Sequence, residues 1–177
     1  MTARSLHDEG MRLYHDSKFE EAAAKFAEAQ AAFAAANEAQ GAAEAVNNRG
    51  VCWRQAARWE EACAAFEEAR ALFKSLEDVA GEGQVVGNLG SLADAQGDPK
   101  QAAEYYVEAI ELLRSAGEQD LAQATYTALS RLKLKHGDWF GAIASFEAGL
   151  DQVEHPNVAQ RMARKVLGAP RKLLGGS

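Results

Sequence analysis

The sequence predicts an all-α protein built as a linear stack of duplicated helix-turn-helix units, and three observations carry that expectation. A small residue recurs at Gly10, Gly50, Gly90 and Ser130, an alanine at Ala22, Ala62, Ala102 and Ala142, and an aromatic at Phe26, Phe66, Tyr106 and Phe146, each column stepping by 40 residues without a gap. Further columns hold Phe19, Trp59, Pro99 and Trp139, and Ala29, Ala69, Ala109 and Gly149. Second, the chain is 47% apolar, rich in alanine and carries only 3 prolines, which suits closely packed helices. Third, helix-starting residues fall between the two halves of the copies. Columns held in register in this way mark a unit that buries its apolar face only by stacking on its neighbours. Function is therefore expected on a surface.

The elements follow in order. First helices of the repeats are predicted near 4–16, 40–56, 80–96 and 119–136, second helices near 19–37, 59–76, 99–116 and 139–153, and a last helix near 157–167. Ser17-x-x-Glu20 reads as a capping box, Asp98 as an N-cap before Pro99, and Asp138 as an N-cap before Trp139. Gly10, Gly50 and Gly90 fall in mid-helix, where glycine costs about 1 kcal/mol relative to alanine. Close approach of the partner helix is the expected compensation, with the alanine column on the other side of the contact. Leu13, Trp53, Phe26, Phe66, Tyr106 and Phe146 are expected to fill the core around it.

The spacing inside each copy resembles the tetratricopeptide repeat. Val86-x-x-Leu89-Gly90 with Ala102-x-x-x-Tyr106, Gly50-x-x-Trp53 with Ala62-x-x-x-Phe66, and Leu6, Gly10, Leu13, Ala22 and Phe26 follow its pattern. The fourth copy keeps Tyr126, Leu129, Ala142 and Phe146 but has Ser130 for glycine and Lys133 for the aromatic. The period is 40, longer than usual, and Ala34, Lys74, Arg114 and Glu154 stand where a closing proline would fall. Similar long repeats occur in spindle-orientation adaptors and kinesin light chains, where the second helix runs on. The resemblance implies a right-handed α-solenoid over residues 1–154, with repeats at about 3–42, 43–82, 83–122 and 123–154, a capping helix at 155–168 and a flexible basic tail at 169–177. It also implies a non-catalytic interaction module that holds a peptide or helix of a partner protein in a concave groove.

In proteins resembling this one the groove is lined by the outward face of the first helices. That face carries His7, Asp8, Met11, Tyr14 and His15, then Asn47, Asn48, Val51, Arg54 and Gln55, then Gln84, Asn88, Ser91 and Asp94, and lastly Thr127, Arg131, Leu134 and Lys135. Asn48 and Asn88 share a column, and a side-chain amide that both donates and accepts can pair with an extended peptide backbone of any sequence. The other reading is that each amide bridges to a neighbouring helix, and both stay open here. Arg54, Arg131 and Lys135 are candidates to select acidic groups, or are simply solvated charges. The candidate binding set is Met11, Tyr14, Asn47, Asn48, Arg54, Asn88, Ser91, Arg131 and Lys135. His7, Met11 and Gln84 replace residues of the carboxylate clamp of chaperone-binding members, which argues against a chaperone C-terminus as ligand.

Charge is uneven. The net charge is −7, yet residues 155–177 hold Arg161, Arg164, Lys165, Arg171 and Lys172 without an acid, which leaves −12 on residues 1–154. Val158, Met162, Val166 and Leu167 fall at helical spacing in that basic segment, as a capping helix over the last repeat requires. The alternative is a homo-oligomeric scaffold in which this segment packs on a neighbouring copy, and a weak anionic-membrane contact is the remaining option for the tail. Nucleic-acid binding is not expected of a chain with a pI near 5.2.

Neither a membrane span nor a signal peptide is indicated, so the expected compartment is the cytoplasm. Cys52 and Cys63, without metal-ligand spacing, read as small buried core residues. His7, His15, His136 and His155 are scattered, and the Gly81-Glu82-Gly83 stretch with Gly87 and Gly90 lacks the preceding strand of a dinucleotide loop. No enzyme activity, metal or cofactor is expected.

Overall fold

The structure is a computed structural model that describes residues 2–150, and every element in that span is a helix. The order is α1 (Ala3–His15), α2 (Phe19–Ala35), α3 (Ala39–Gln55), α4 (Trp59–Ser75), α5 (Val79–Gln96), α6 (Pro99–Ser115), α7 (Gln119–Lys135) and α8 (Trp139–Leu150). Each helix packs on the next along the chain. First helices of successive repeats also approach directly at α3–α5 and α5–α7, closer than any pair of second helices among the described residues. That is the arrangement of an α-solenoid whose first helices occupy the inner side. The predicted helix near 157–167, the cap at 155–168 and the tail at 169–177 lie outside the described residues.

The turns obey a rule that the sequence conceals. Ser17, Asn37, Ala57, Glu77, Gly97, Gly117 and Gly137 all have positive φ, one every 20 residues. At each, the next residue's N–H reaches back to a carbonyl five positions earlier, from Lys18 N to Leu13 O (2.9 Å) through Arg58 N to Trp53 O (2.8 Å) to Asp138 N to Lys133 O (2.9 Å). This is the Schellman closure of a helix end. It corrects the capping box at Ser17, which ends α1 in the left-handed region; Lys18 is the N-cap of α2 and makes no side-chain cap bond. Asp98 and Asp138 do cap, accepting from Gln101 N and Gly141 N at 2.9 Å, and Asp78 does the same for Gly81 N at 2.8 Å.

A side chain in the left-handed region costs on the order of 1–2 kcal/mol, and glycine relieves it. Ala57→Gly should therefore raise the stability of the chain by about 1 kcal/mol, read as a higher urea midpoint. An unchanged or lower midpoint would mean that the turn at 57 relaxes out of this conformation in solution.

The core is the predicted contact. Ala22, Ala62 and Ala102 are fully buried, Phe26, Phe66 and Tyr106 nearly so, and a Cβ on Gly50 would lie 2.6 Å from the Phe66 ring. The fourth repeat tolerates Ser130 because its hydroxyl donates to the Ala142 carbonyl at 2.8 Å. A second close approach went unread in the sequence: the Phe33 ring covers Gly41 and the Phe73 ring covers Gly81, joining each repeat to the next. Leu13, Trp53 and Phe146 are half-buried and so contribute less to the core than expected; Trp53 faces outward enough for the Arg58 guanidinium to stack 5.4 Å from its ring centre. Cys52 is buried, which pushes its thiol up to about 12. Cys63 corrects the expectation, since it is exposed on α4.

Ion pairs tie α4 to both helices of the next repeat. Arg70 reaches Glu82 at 3.2 Å and also pairs with Glu108, while Lys74 reaches Glu82 at 3.3 Å, so one buried carboxylate on α5 is held by two cations of α4. Among the described residues no helix is long and apolar enough to cross a membrane.

Candidate functional site

Among the described residues, four hydrogen bonds join the helical spans of first helices in successive repeats and each spans 41 residues, while Gln40 Nε2 also donates to Oδ2 of Asp78, the N-cap of α5, at 2.9 Å across 38. Asn48 Nδ2 meets His7 Nε2 at 3.0 Å, Gln55 Nε2 donates to Tyr14 Oη at 3.1 Å, Asn88 Nδ2 donates to Asn47 Oδ1 at 2.9 Å, and Lys135 Nζ donates to Asp94 Oδ1 at 2.7 Å. The offset of 41 joins one column of a repeat to the adjacent column of the next, as expected where helices of a 40-residue repeat lie side by side. The bridging reading of Asn48 and Asn88 is therefore correct as far as their Nδ2 atoms go. These bonds hold the amides in place while the residues stay half-exposed.

Three clefts open on this face. The first, about 470 Å³, is lined by His7, Met11, Gln40, Asn47, Asn48 and Gln84 among others. A smaller apolar one of about 100 Å³ lies between Met11, Tyr14, Phe26, Asn48 and Val51. The third, about 300 Å³, lies against α5, α6 and α7 and includes Asn88 and Ser91. Met11, Tyr14, Asn47 and Asn48 thus come together at one end of the face, and Asn88 with Ser91 further along.

The cations behave differently from one another. Lys135 is already paired with Asp94, Arg131 is exposed and lines none of the three clefts, and Arg54 has a buried Nε with no hydrogen-bond partner. The sequence reading missed Tyr106 as a groove residue by treating its column as core. Its ring is buried, but its hydroxyl meets Ser91 Oγ at 3.1 Å beside the third cleft. Burial pushes this phenol up and the Ser91 hydrogen bond opposes it. The signal was available: Tyr106 replaces Phe in its column in the one repeat where Ser91 replaces an apolar Met11 or Val51. Among the described residues no group of three or more His, Cys, Asp and Glu is placed to hold a metal.

Stacked helix pairs with their first helices lining a polar groove define an α-solenoid of the class that mediates protein–protein interactions. The tetratricopeptide repeat family matches residues 41–115, and over that span the chain is similar to it. No curated protein matched the chain in sequence.

Solved structures share the fold. Aspartyl phosphate phosphatase F from Bacillus subtilis is similar with a TM-score of 0.76 at 14% identity, over 85% of this chain and 39% of that one, so the chain spans well under half of that protein. BtubC (BKLC) from P. vanneervenii gives 0.66 at 20% identity, over 98% and 82%. A putative kinesin light chain from Podosopora anserina with nearly identical TPR-like repeats gives 0.69 at 16%, over 96% and 88%.

Proposed function

We propose that the chain binds an extended or helical segment of a partner protein along the face of α1, α3, α5 and α7. The observation that supports this is the set of half-exposed amides at Asn47, Asn48 and Asn88, fixed in position by bonds between repeats. Their rotamer freedom is already spent in the free protein, so a partner backbone meets preorganised hydrogen-bonding groups. Met11 and Tyr14 supply apolar contact on α1, Arg54 offers positive charge beside them on α3, and Arg131 and Lys135 offer it on α7.

Selection of short random peptides on the immobilised protein, followed by affinity measurement of the winners, tests the reading. Asn48→Ala with Asn88→Ala should weaken binding by about tenfold or more, equivalent to about 1.4 kcal/mol. Because each amide also joins two helices, the pair should lower stability by about 0.5–1.5 kcal/mol per bond lost. Undiminished affinity in a folded double variant would move the interface off this face.

A second reading, self-assembly through the basic C-terminal segment, is favoured by charge, since residues 155–177 hold Arg161, Arg164, Lys165, Arg171 and Lys172 without an acid and residues 1–154 carry −12, while one apolar surface stands ready for either that segment or a cap. Trp139, Phe140 and Ile143 form an exposed apolar patch on α8, with Phe140 standing where the other repeats have Glu20, Glu60 and Lys100.

A further inference from the structure

We propose that the cleft between α5, α6 and α7 receives one aliphatic side chain of the bound segment, with an acidic group beside that side chain held by Arg54. This rests on the groove reading above and adds the chemistry of the ligand.

The cleft exists because the cross-repeat ladder breaks. His7 meets Asn48 and Asn47 meets Asn88, but the next step of the same columns sets Gly87 against Ala128, where neither residue has a polar side chain to offer. The space left, about 300 Å³, is walled by Leu113 and Leu121 and rimmed by Asn88 and Thr125. It is at the small end of ligand sites, suited to one side chain and too small for a helix.

Its polar floor is already satisfied. Ser91 Oγ donates to the Gly87 carbonyl at 3.2 Å and meets the Tyr106 hydroxyl at 3.1 Å. An occupant therefore needs no hydrogen-bonding group of its own there, and a leucine, isoleucine or methionine side chain matches the aliphatic walls.

Arg54 supplies the second half of the recognition. Its Nε is buried without a partner, and no ion pair is found for its guanidinium among the described residues. It does not itself line the cleft but stands on α3 in the column of Asp94, one repeat before it on the adjacent α5, and Lys135, the other cation there, is already engaged by Asp94. The Nε itself is sealed by the protein, but the residue is only half-buried, so its terminal guanidinium nitrogens are what a carboxylate can meet with two bonds. The same charge repels an Arg- or Lys-rich occupant, so the chain's own basic segment is the wrong complement for this cleft.

Gly87 provides a clean test. A Cβ at this position meets only the Ala109 Cβ, at 3.8 Å, so Gly87→Leu can fill the cleft from within while improving the helix. The probe is the random-peptide selection already described, with affinities read by fluorescence anisotropy and folding by thermal melting. Peptides selected on the native protein should carry Leu, Ile or Met next to Asp or Glu. Gly87→Leu should weaken them by about tenfold or more without lowering the melting temperature. Arg54→Gln should abolish the preference for an Asp peptide over its Asn counterpart while retaining the aliphatic preference.

Selected peptides without an aliphatic residue, or equal affinity for folded Gly87→Leu, would overturn the cleft. If Asn88→Ala still weakens binding in that case, the groove stands and only its anchor is wrong. If neither substitution matters, or no peptide is selected at all, the groove reading falls with it.

Discussion

Phe66→Ala is expected to remove about 3–5 kcal/mol of stability, the cost of emptying a filled aromatic site. Phe66 is completely buried, belongs to the largest core cluster with Ala62, Ala69 and Val46, and its ring lies against the backbone at Gly50. Few positions touch both helices of a repeat so closely. The converse change at the same contact, Ala62→Leu, forces extra carbons into a space with none to spare and should cost about 1–3 kcal/mol. Ala64→Leu, exposed two residues away on α4, should change little. Urea midpoints of the three variants decide. Equal midpoints for Ala62→Leu and Ala64→Leu would show that the repeat contact is not packed as described.

That contact was legible in the sequence because a glycine, an alanine and an aromatic kept their mutual spacing through three full copies. The turns were not. Four of the seven left-handed positions carry Ser17, Asn37, Ala57 and Glu77, so the 20-residue spacing shows as glycine only at Gly97, Gly117 and Gly137. Backbone hydrogen bonding holds Ser17, Ala57 and Glu77 there against their own preference, which no side-chain signal announces, while Asn37 is a residue that tolerates the left-handed region. Gly41 and Gly81 escaped notice for a related reason: their column ends in Leu121, where Leu113 replaces the phenylalanine that packs on the other two. That same exchange walls the cleft beside Gly87. At the groove, periodicity located Asn47, Asn48 and Asn88, but which atoms were already bonded depended on the offset between adjacent helices. Cys63 defeated the reading because its column holds Ala23 and Ala103, and small size marks a close approach in one repeat and an open face in another.

Deletion from Pro156 onward is expected to make the protein less stable and prone to aggregate at every salt concentration, because we propose that the segment after α8 covers the end of the solenoid. Leu129 and Leu132 are buried within the described residues, whereas Trp139, Phe140 and Ile143 are 64%, 89% and 45% exposed, with Leu134 at 45%. In sequence, Val158, Met162, Val166 and Leu167 have the spacing that a matching apolar stripe requires. A terminal repeat that leaves such a face bare is the ordinary cause of insolubility in a solenoid. The competing outcome follows from charge. If the basic segment of one copy instead seats on the body of another, whose residues 1–154 carry −12, the same deletion turns an oligomer into a stable monomer. High salt acting on the intact chain should then imitate the deletion, since the Debye length of about 8 Å at physiological ionic strength shortens further and weakens attraction between exposed charges. Aggregation driven by Trp139 and Phe140 responds in the opposite sense, because it needs no charge. Light scattering on both lengths of chain at low and high salt separates the two, and an intact monomer at low salt well above micromolar concentration eliminates assembly through the tail and leaves the cap.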